Sequence, residues 1–339
     1  MNGVLAVLEY RGENRGESRW NRMSWEALAA GQELARNLGE PLWATAAGDD
    51  ISEAGADLAA KPVSGAYLVY HPLLEAYTPD GYVAAFEQLI RKVDPQYVVF
   101  PHTYQVRDFA PRLAARFGQT LIADVVAIRL ESGSPVFVRQ LLQGRLNADY
   151  VHSGVGVCFV SVQAGAFRAD DILRADGILG AAGRPVEVFV PRLDESQIRS
   201  RPGERFREAA QTVDLSAASV IVSVGRGIKE QINLPIVEEL AHALGAELAA
   251  SRPICDNGWL PMERQVGSSG QTVAPKVYIA VGISGAIQHL VGMKGSKAVI
   301  AINKDENAPI FEVADYGVVG DLFEVTPALI AAVRKAKGA

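Results

Sequence analysis

The chain has 339 residues and a formal net charge of -6. That length exceeds the usual size of one hydrophobic core, so we expect two domains, and the acidic balance argues against nucleic acid as a main partner. No apolar run reaches about 18 residues and the chain begins with a strand-like segment, so we expect neither a membrane span nor a signal peptide, and a cytoplasmic location. The two cysteines lack CxxC spacing and the five histidines are scattered, which leaves a disulfide framework, a metal site and an iron–sulfur cluster unsupported.

Apolar, β-rich segments alternate with amphipathic helical patterns over the first third of the chain. The predicted helices span 24–38, 79–93 and 106–117. Ser24 is the expected N-cap of the first helix and Gly39 its expected C-terminal stop. This alternation predicts a mostly parallel sheet covered by helices. Between 120 and 162 the helical pattern fades, and three apolar segments predict consecutive antiparallel strands.

A polar, highly charged stretch at 191–208 contains Pro202 and Gly203 and is the predicted linker. It would join a first domain at 1–207 to a second at 208–339. The second domain again alternates strands with helices and closes with a predicted helix at 327–335. The expected fold is α/β, with two Rossmann-like, doubly wound parallel-sheet domains, the first carrying an added antiparallel region.

Two glycine-spaced loops stand out in the second domain, QVGSSG at 265–270 and GISGAIQH at 282–289. Glycine allows close backbone approach or positive φ, and the intervening Ser, Gln and His side chains form hydrogen bonds. The second loop follows the apolar run VYIAV and leads into a helical pattern. A strand, turn and helix start of this kind directs backbone N–H groups and a helix dipole at an anion such as a pyrophosphate.

Arginines follow two other predicted strands of this domain. Arg226 lies between two glycines in a strand-to-helix turn, where it could pair with a phosphate, although the full GxGxxG spacing is missing. A solvated loop arginine is the alternative. Arg252 follows Ser251 at a strand end, and an ion pair with Asp256 is its alternative role.

Polar residues at further strand ends complete the set of candidates. Asn303 follows one strand and Asp321 with Leu322 follows the next, as expected for ribose and adenine contacts in an open α/β sheet. Helix capping is the alternative for both polar side chains. In the first domain, His71 and His102 end strands beside prolines, and we favour a packing role for them.

The order of these segments resembles the C-terminal signature of the electron transfer flavoprotein alpha subunit, over roughly the last 120 residues. The matching segments are SRP at 251–253, GW at 258–259, QVG-x-SG at 265–270, YIAVGISGAIQH at 278–289, AINKD at 301–305 and ADYG-x-VGDLF at 314–323.

The resemblance implies an FAD cofactor and a set of residues that contact it. These are Arg226, Ser251, Arg252, Gln265, Val266, Gly267, Ser268, Ser269, Ser284, Gly285, Ala286, Ile287, Gln288, His289, Asn303, Asp321 and Leu322. By this resemblance Arg226 lies near the pyrophosphate, and Arg252 lies near the isoalloxazine, where a cation raises the flavin potential.

The resemblance also implies that Ser269 donates to flavin N5 and that His289 lies near N1 and O2. Family members often have Gln and Thr where this chain has Ser268 and Ser269. The second change keeps a hydroxyl, whereas the first shortens the side chain, and this difference bears on the redox potential of the flavin.

The implied function is electron carriage rather than substrate conversion, with a place in fatty acid β-oxidation. The chain would form an obligate heterodimer with an electron transfer flavoprotein beta subunit, which the first domain would contact without binding a nucleotide. Flavin dehydrogenases or a beta-subunit flavin would supply electrons to a quinone reductase or another acceptor. One alternative is an electron-bifurcating form whose beta subunit carries a second FAD and uses NADH. The other is a non-redox nucleotide-binding scaffold.

Overall fold

The computed structural model describes residues 3–10, 19–142, 144–169, 185–203, 215 and 218–338. The chain separates into two compact units, Met1–Arg205 and Phe206–Ala339. Within the described ranges, no helix has the length and hydrophobicity needed to cross a membrane.

The first unit is built on a large mixed sheet. Its strands are β1 (Val4–Val7), β2 (Leu42–Gly48), β3 (Gly65–Tyr70), β4 (Tyr97–Pro101), β5 (Leu121–Glu131), β6 (Ser134–Leu141), β7 (Leu146–Val151), β8 (Cys158–Val162) and β9 (Val186–Phe189). Their order across the sheet is β7-β6-β5-β8-β4-β1-β2-β3-β9. Buried apolar side chains form a core on each face of this sheet.

Helices cover the sheet of the first unit. They are α1 (Arg22–Leu38), α2 (Ser52–Ala59), α3 (Pro79–Val93) and α4 (Tyr104–Arg116). The predicted bounds of α3 are confirmed, and Gly39 ends α1 with φ of 70° as expected. The predicted N-cap is wrong, because Asn21 caps α1 and accepts from the backbone N of Met23. Ser24 lies inside the helix, and its hydroxyl instead exchanges hydrogen bonds with the Glu9 backbone.

The antiparallel region differs from the prediction in two strands. Strands β5, β6 and β7 do pair antiparallel, and β7 was not predicted. Strand β8 is parallel to both β4 and β5, between which it is inserted. Its residues are all buried, as expected for a strand covered on both faces, and sequence adjacency alone does not reveal this return into the parallel sheet.

The described part of the predicted linker, 191–203, lies against the first unit. The backbone N of Arg192 donates to Gln88 Oε1 at 2.8 Å, and the backbone N of Arg199 donates to Asp80 Oδ2 at 3.0 Å. Positions 204–208 of the predicted linker lie outside the described residues.

The second unit has a five-stranded parallel sheet. Its strands are β10 (Val220–Val224), β11 (Glu247–Ala250), β12 (Val277–Val281), β13 (Val299–Asn303) and β14 (Tyr316–Val319), in the order β11-β10-β12-β13-β14. Its helices are α5 (Pro235–Leu244), α6 (Arg252–Asp256), α7 (Ile287–Met293) and α8 (Leu322–Lys337). Helix α8 begins before the predicted start at 327, because Asp321 caps it and Pro327 lies inside it. The predicted α/β class is confirmed.

Candidate functional site

The second sheet changes its winding direction between β10 and β12. The chain passes from β10 outward to β11 and then returns to β12, which gives the doubly wound order in which ligands bind at the carboxyl ends of the two central strands. The loops at that place are Gly225-Arg226-Gly227 and the segment starting at Gly282. They are hydrogen bonded to each other through the N of Gly227 and the carbonyl of Gly282, at 3.0 Å.

The contact between these two loops explains why glycine occupies positions 225, 227 and 282. A Cβ on Gly225 would fall on the carbonyl oxygen of Gly282, and a Cβ on Gly227 would lie 2.7 Å from Gly282 Cα. Gly282 itself has φ of 64°. Close approach is one of the two reasons expected for the glycines of the 282–289 loop, and the group that approaches Gly282 is the neighbouring loop. The glycines therefore bring two strand-end loops together at the switch point.

The loop after β12 presents a row of free donors. In the described chain, no hydrogen bond uses the backbone N–H groups of residues 284–288, which lead into the start of α7. Gly285, with φ of 85°, packs directly on the backbone of Ile310, which fixes the course of this loop. The side chains of Ser284 and Gln288 are exposed beside these donors. Consecutive N–H groups of this kind suit a pyrophosphate.

The QVGSSG loop joins two neighbouring elements of the unit. The N of Val266 donates to the carbonyl of Ala250 at the end of β11, and the N of Ser268 donates to the carbonyl of Gln288 in α7, at 2.9 and 2.7 Å. A Cβ on Gly267 would meet the same Gln288 carbonyl at 2.9 Å. The segments 250–252, 265–270 and 284–289 therefore meet at one edge of the sheet.

His289 points into the protein in this structure. It is only 6 % exposed, and its Nε2 lies 2.9 Å from the hydroxyl of Tyr278. Burial lowers the pKa of His289 to about 4, while the backbone of Val266 acts in the opposite direction. The imidazole is therefore neutral at neutral pH. Its contact with flavin N1 and O2 stays a prediction, and the contact that the structure records for Nε2 is Tyr278.

The two candidate arginines differ in their contacts. Nε of Arg252 lies 3.1 Å from Asp256 Oδ2, so the alternative ion pair is present, on a side chain that is 67 % exposed. An exposed pair of this kind contributes at most about 1 kcal/mol, so it leaves Arg252 free to change partners. Arg226 is exposed; its backbone carbonyl accepts from the N of Lys229, but no hydrogen bond or ion pair joins its guanidinium to the described chain. Ser251, just before α6, is buried.

The remaining predicted residues connect the loops that follow β12, β13 and β14. Asn303 donates from Nδ2 to the carbonyl of Ile283 at 2.9 Å and accepts from the N of Asp305 at 3.0 Å, so it does not cap a helix. Asp321 does cap α8, since it accepts from the N of Phe323 at 2.9 Å. Leu322 is buried against Gly282.

Two residues of this edge were missed by the sequence analysis. Tyr278 looks like an ordinary apolar strand residue in VYIAV, yet its hydroxyl is the partner of His289. Lys229 has φ of 70° and ψ of -58° and forms a γ-turn, with the N of Glu230 donating to the carbonyl of Ile228 at 2.9 Å. Its Nζ lies 4.9 Å from the centre of the Phe323 ring. The sequence gives no sign of this strained turn. Through the Lys229 side chain, the loop after β10 contacts the start of α8.

The two histidines of the first unit have local partners. His71 Nδ1 accepts from the N of Leu73 at 3.1 Å. His102 Nδ1 lies 2.9 Å from the hydroxyl of Ser161. Burial lowers the pKa of His102, and the nearby carboxylate of Asp124 partly offsets this. These contacts agree with a packing role.

The residues at the edge of the second sheet fit an adenine dinucleotide with a flavin. The free N–H groups of 284–288 and the unpaired Arg226 provide donors and positive charge for a pyrophosphate. The exposed hydroxyls of Ser268 and Ser269 and the cation of Arg252 are available for a polar ring system. The amide oxygen of Gln265 is buried without a partner in the described chain, as in a site that a ligand completes.

Comparison with known proteins agrees with this site. Residues 214–294 match the family described as "Electron transfer flavoprotein FAD-binding domain", and residues 12–192 match the "Electron transfer flavoprotein domain". The chain is similar to the electron transfer flavoprotein subunit alpha of Thermoanaerobacterium thermosaccharolyticum, with 38% identity over 92% of this chain and 93% of the relative. It is also similar to the protein of the same name from Mycobacterium tuberculosis, with 38% identity over 100% of each chain.

A third relative has a different name. It is the "Acryloyl-CoA reductase electron transfer subunit beta" of Anaerotignum propionicum, 32% identical over 95% of this chain and 94% of the relative. The two family matches together cover most of the sequence, and the two relatives at 38% identity are both named as alpha subunits. The chain therefore belongs to the electron transfer flavoprotein family, as a member of the alpha-subunit type that uses FAD.

Proposed function

We propose that this chain is the FAD-carrying subunit of a heterodimeric electron shuttle. It takes electrons from flavin dehydrogenases or from a beta-subunit flavin and passes them to a quinone reductase or another acceptor. FAD, when bound, supplies the redox chemistry. The observation that carries the proposal is the row of free N–H groups at 284–288 beside the unpaired Arg226, at the switch point of a doubly wound sheet.

The residues predicted from the sequence would hold the cofactor. The N–H groups of 284–288 and Arg226 bind the pyrophosphate. Asn303 and Asp321, with Leu322, lie at the next two strand ends, where ribose and adenine contacts are expected. The loop 265–270 and the pair Ser251 and Arg252 face the flavin ring.

Arg252 has a specific electrostatic role in this proposal. Its ion pair with Asp256 is exposed and weak, so the guanidinium can turn toward a ring that gains electrons. A cation beside that ring favours the reduced state and raises the potential. The neutral His289 contributes hydrogen bonding and shape rather than positive charge.

The first unit is proposed to contact a beta subunit and to carry no nucleotide. In its antiparallel region, four apolar side chains are more than half exposed: Leu142, Leu146, Val151 and Val155. Clustered exposed apolar groups are typical of interaction surfaces. The relative from Anaerotignum propionicum is named as an electron transfer subunit, which agrees with work in an assembly. A cytoplasmic location stays a prediction from the sequence.

A reductive titration of the chain purified together with its beta subunit tests this function. Dithionite is added stepwise under anaerobic conditions while the visible spectrum is recorded, and the bound FAD is then quantified. One FAD per heterodimer is the expected result. Two FAD per heterodimer would favour the electron-bifurcating form, and a complex without a reducible chromophore would favour the non-redox scaffold.

A further inference from the structure

Gln265 is held beneath its own loop. Gln265 is only 1 % exposed. Its backbone N donates to the carbonyl of Met262, and its own carbonyl accepts from the N of Gln271 at 2.8 Å. Gly270 lies so close that a Cβ there would fall on the carbonyl oxygen of Gln265. The loop therefore closes tightly around this side chain and leaves it little freedom to turn.

The Gln265 amide makes one side-chain contact. Its Nε2 donates to the hydroxyl oxygen of Ser269 at 2.9 Å, whereas its Oε1 is buried without a partner in the described chain. Burying an amide is unfavourable unless both its oxygen and its nitrogen are hydrogen bonded. An amide that is buried with only its nitrogen bonded lowers stability, which points to a functional role for Gln265. Ser269 itself is exposed at the surface of the loop.

The hydrogen bond from Gln265 determines whether the Ser269 hydroxyl acts as a donor or as an acceptor toward other groups. A serine hydroxyl has one hydrogen and two lone pairs. Because the Gln265 amide donates to the oxygen, it occupies a lone pair and leaves the hydroxyl hydrogen for a group outside the protein. Ser269 is thereby kept as a donor, which suits an acceptor atom such as a ring nitrogen of a flavin.

We propose that Gln265 is a positioning residue, which holds the Ser269 hydroxyl in place and directs its hydrogen toward the cofactor. This inference rests on the proposed function, since the acceptor is the flavin ring of bound FAD. Gln265 would act on the cofactor through Ser269 and would not contact the cofactor itself.

Residues in and beside the loop supply controls. Thr272 is also exposed and lies outside the predicted set of FAD-contacting residues. Within the described chain no hydrogen bond to its hydroxyl is present, so Thr272→Val removes a hydroxyl without changing the hydrogen bond between Gln265 and Ser269. Gln265→Met keeps the length of the side chain and removes the amide. Ser269→Thr keeps the hydroxyl and should preserve the effect.

The experiment measures FAD affinity and midpoint potential of the heterodimer purified with each variant. Gln265→Met and Ser269→Ala should each weaken FAD binding by about tenfold and shift the potential in the same direction. The double variant should bind FAD no more weakly than Ser269→Ala alone, because the two residues act as one unit. Thr272→Val and Ser269→Thr should each keep an FAD affinity within about twofold of that of the original chain.

Additive losses in the double variant would overturn the proposal, and so would a Gln265→Met complex with unchanged affinity and potential. If Gln265→Met yields no folded complex, Gln265→Asn, whose shorter amide does not reach Ser269, takes its place with the same expected results. A heterodimer of the original chain that takes up no FAD would contradict the proposed function itself, a result distinct from the failure of this inference alone.

Discussion

The hydroxyl of Tyr278 lies 2.9 Å from Nε2 of His289, and both side chains are buried. Tyr278 belongs to β12 and His289 to α7, so the pair joins the strand to the helix that follows the GISGAIQH loop. The hydrogen bond thus holds the free N–H groups of 284–288 in a fixed position relative to the sheet.

Tyr278→Phe should destabilise the second unit. The change leaves Nε2 of His289 buried without a partner, which costs about 1–3 kcal/mol. Urea unfolding of the purified protein measures the change in the free energy of unfolding. Tyr316→Phe is the matched control, because Tyr316 is 68% exposed. Equal stability of the two variants would contradict the assigned hydrogen bond.

Stability should fall in mild acid because of His289. Its pKa is lowered from 6.5 to about 4 in the folded protein, so between these two pH values the unfolded chain binds a proton that the folded chain does not. The free energy of unfolding therefore decreases as the pH falls from 6.5 to 4, by up to about 3 kcal/mol, and this residue has no effect on it above 6.5.

His289→Gln should remove that part of the pH dependence. His242→Gln is the control, because His242 is exposed on α5. Unfolding curves at several pH values between 4 and 7 measure the slope. An unchanged slope in His289→Gln would show that the imidazole is not buried in its neutral form.

Arg252→Ala should lower the flavin potential while FAD is retained. The guanidinium provides positive charge near a ring that becomes negative on reduction, whereas binding depends mainly on the pyrophosphate contacts. Asp256→Asn removes the competing ion pair and should shift the potential in the opposite direction. Redox titration of the heterodimer measures both. Arg334→Ala, which removes an exposed ion pair on α8, is the control, and an unchanged potential in Arg252→Ala would exclude the proposed role.

Gly225→Ala should weaken FAD binding and lower stability together. The added methyl group would fall on the carbonyl oxygen of Gly282, so the two switch-point loops must move apart, at a cost of about 1–3 kcal/mol. FAD affinity and thermal unfolding measure the two effects. Gly203→Ala is the control, since a Cβ at Gly203 meets open space. A Gly225→Ala protein with normal affinity would show that the contact between the loops does not shape the site.

Local sequence signals predicted the elements that local rules determine. Helix α3 has the expected bounds, and Gly39 ends α1, because periodicity, capping and positive φ act over a few residues. The position of β8 was wrong, because its parallel pairing with β4 depends on a chain return that no local pattern encodes. For the same reason, the glycines of the 282–289 loop indicated close approach or positive φ, but not that Gly282 approaches Gly225 and Gly227.

In the candidate site, too, some features were predictable from the sequence and others were not. The strand-end loops were predictable, since parallel strands bring their carboxyl ends to one edge. The Tyr278 partner of His289 and the γ-turn at Lys229 were not, because both follow from packing between segments that are distant from the sequence signals. The roles of the individual residues toward FAD stay predictions that the variants above test.

The most direct test of the account is the FAD content of the heterodimer purified from cells, measured from its visible absorption and from the flavin released on denaturation. We predict a yellow complex that holds FAD through the second unit and that loses most of it when Arg226 is replaced by Ala. A colourless complex that takes up no added FAD would contradict the account.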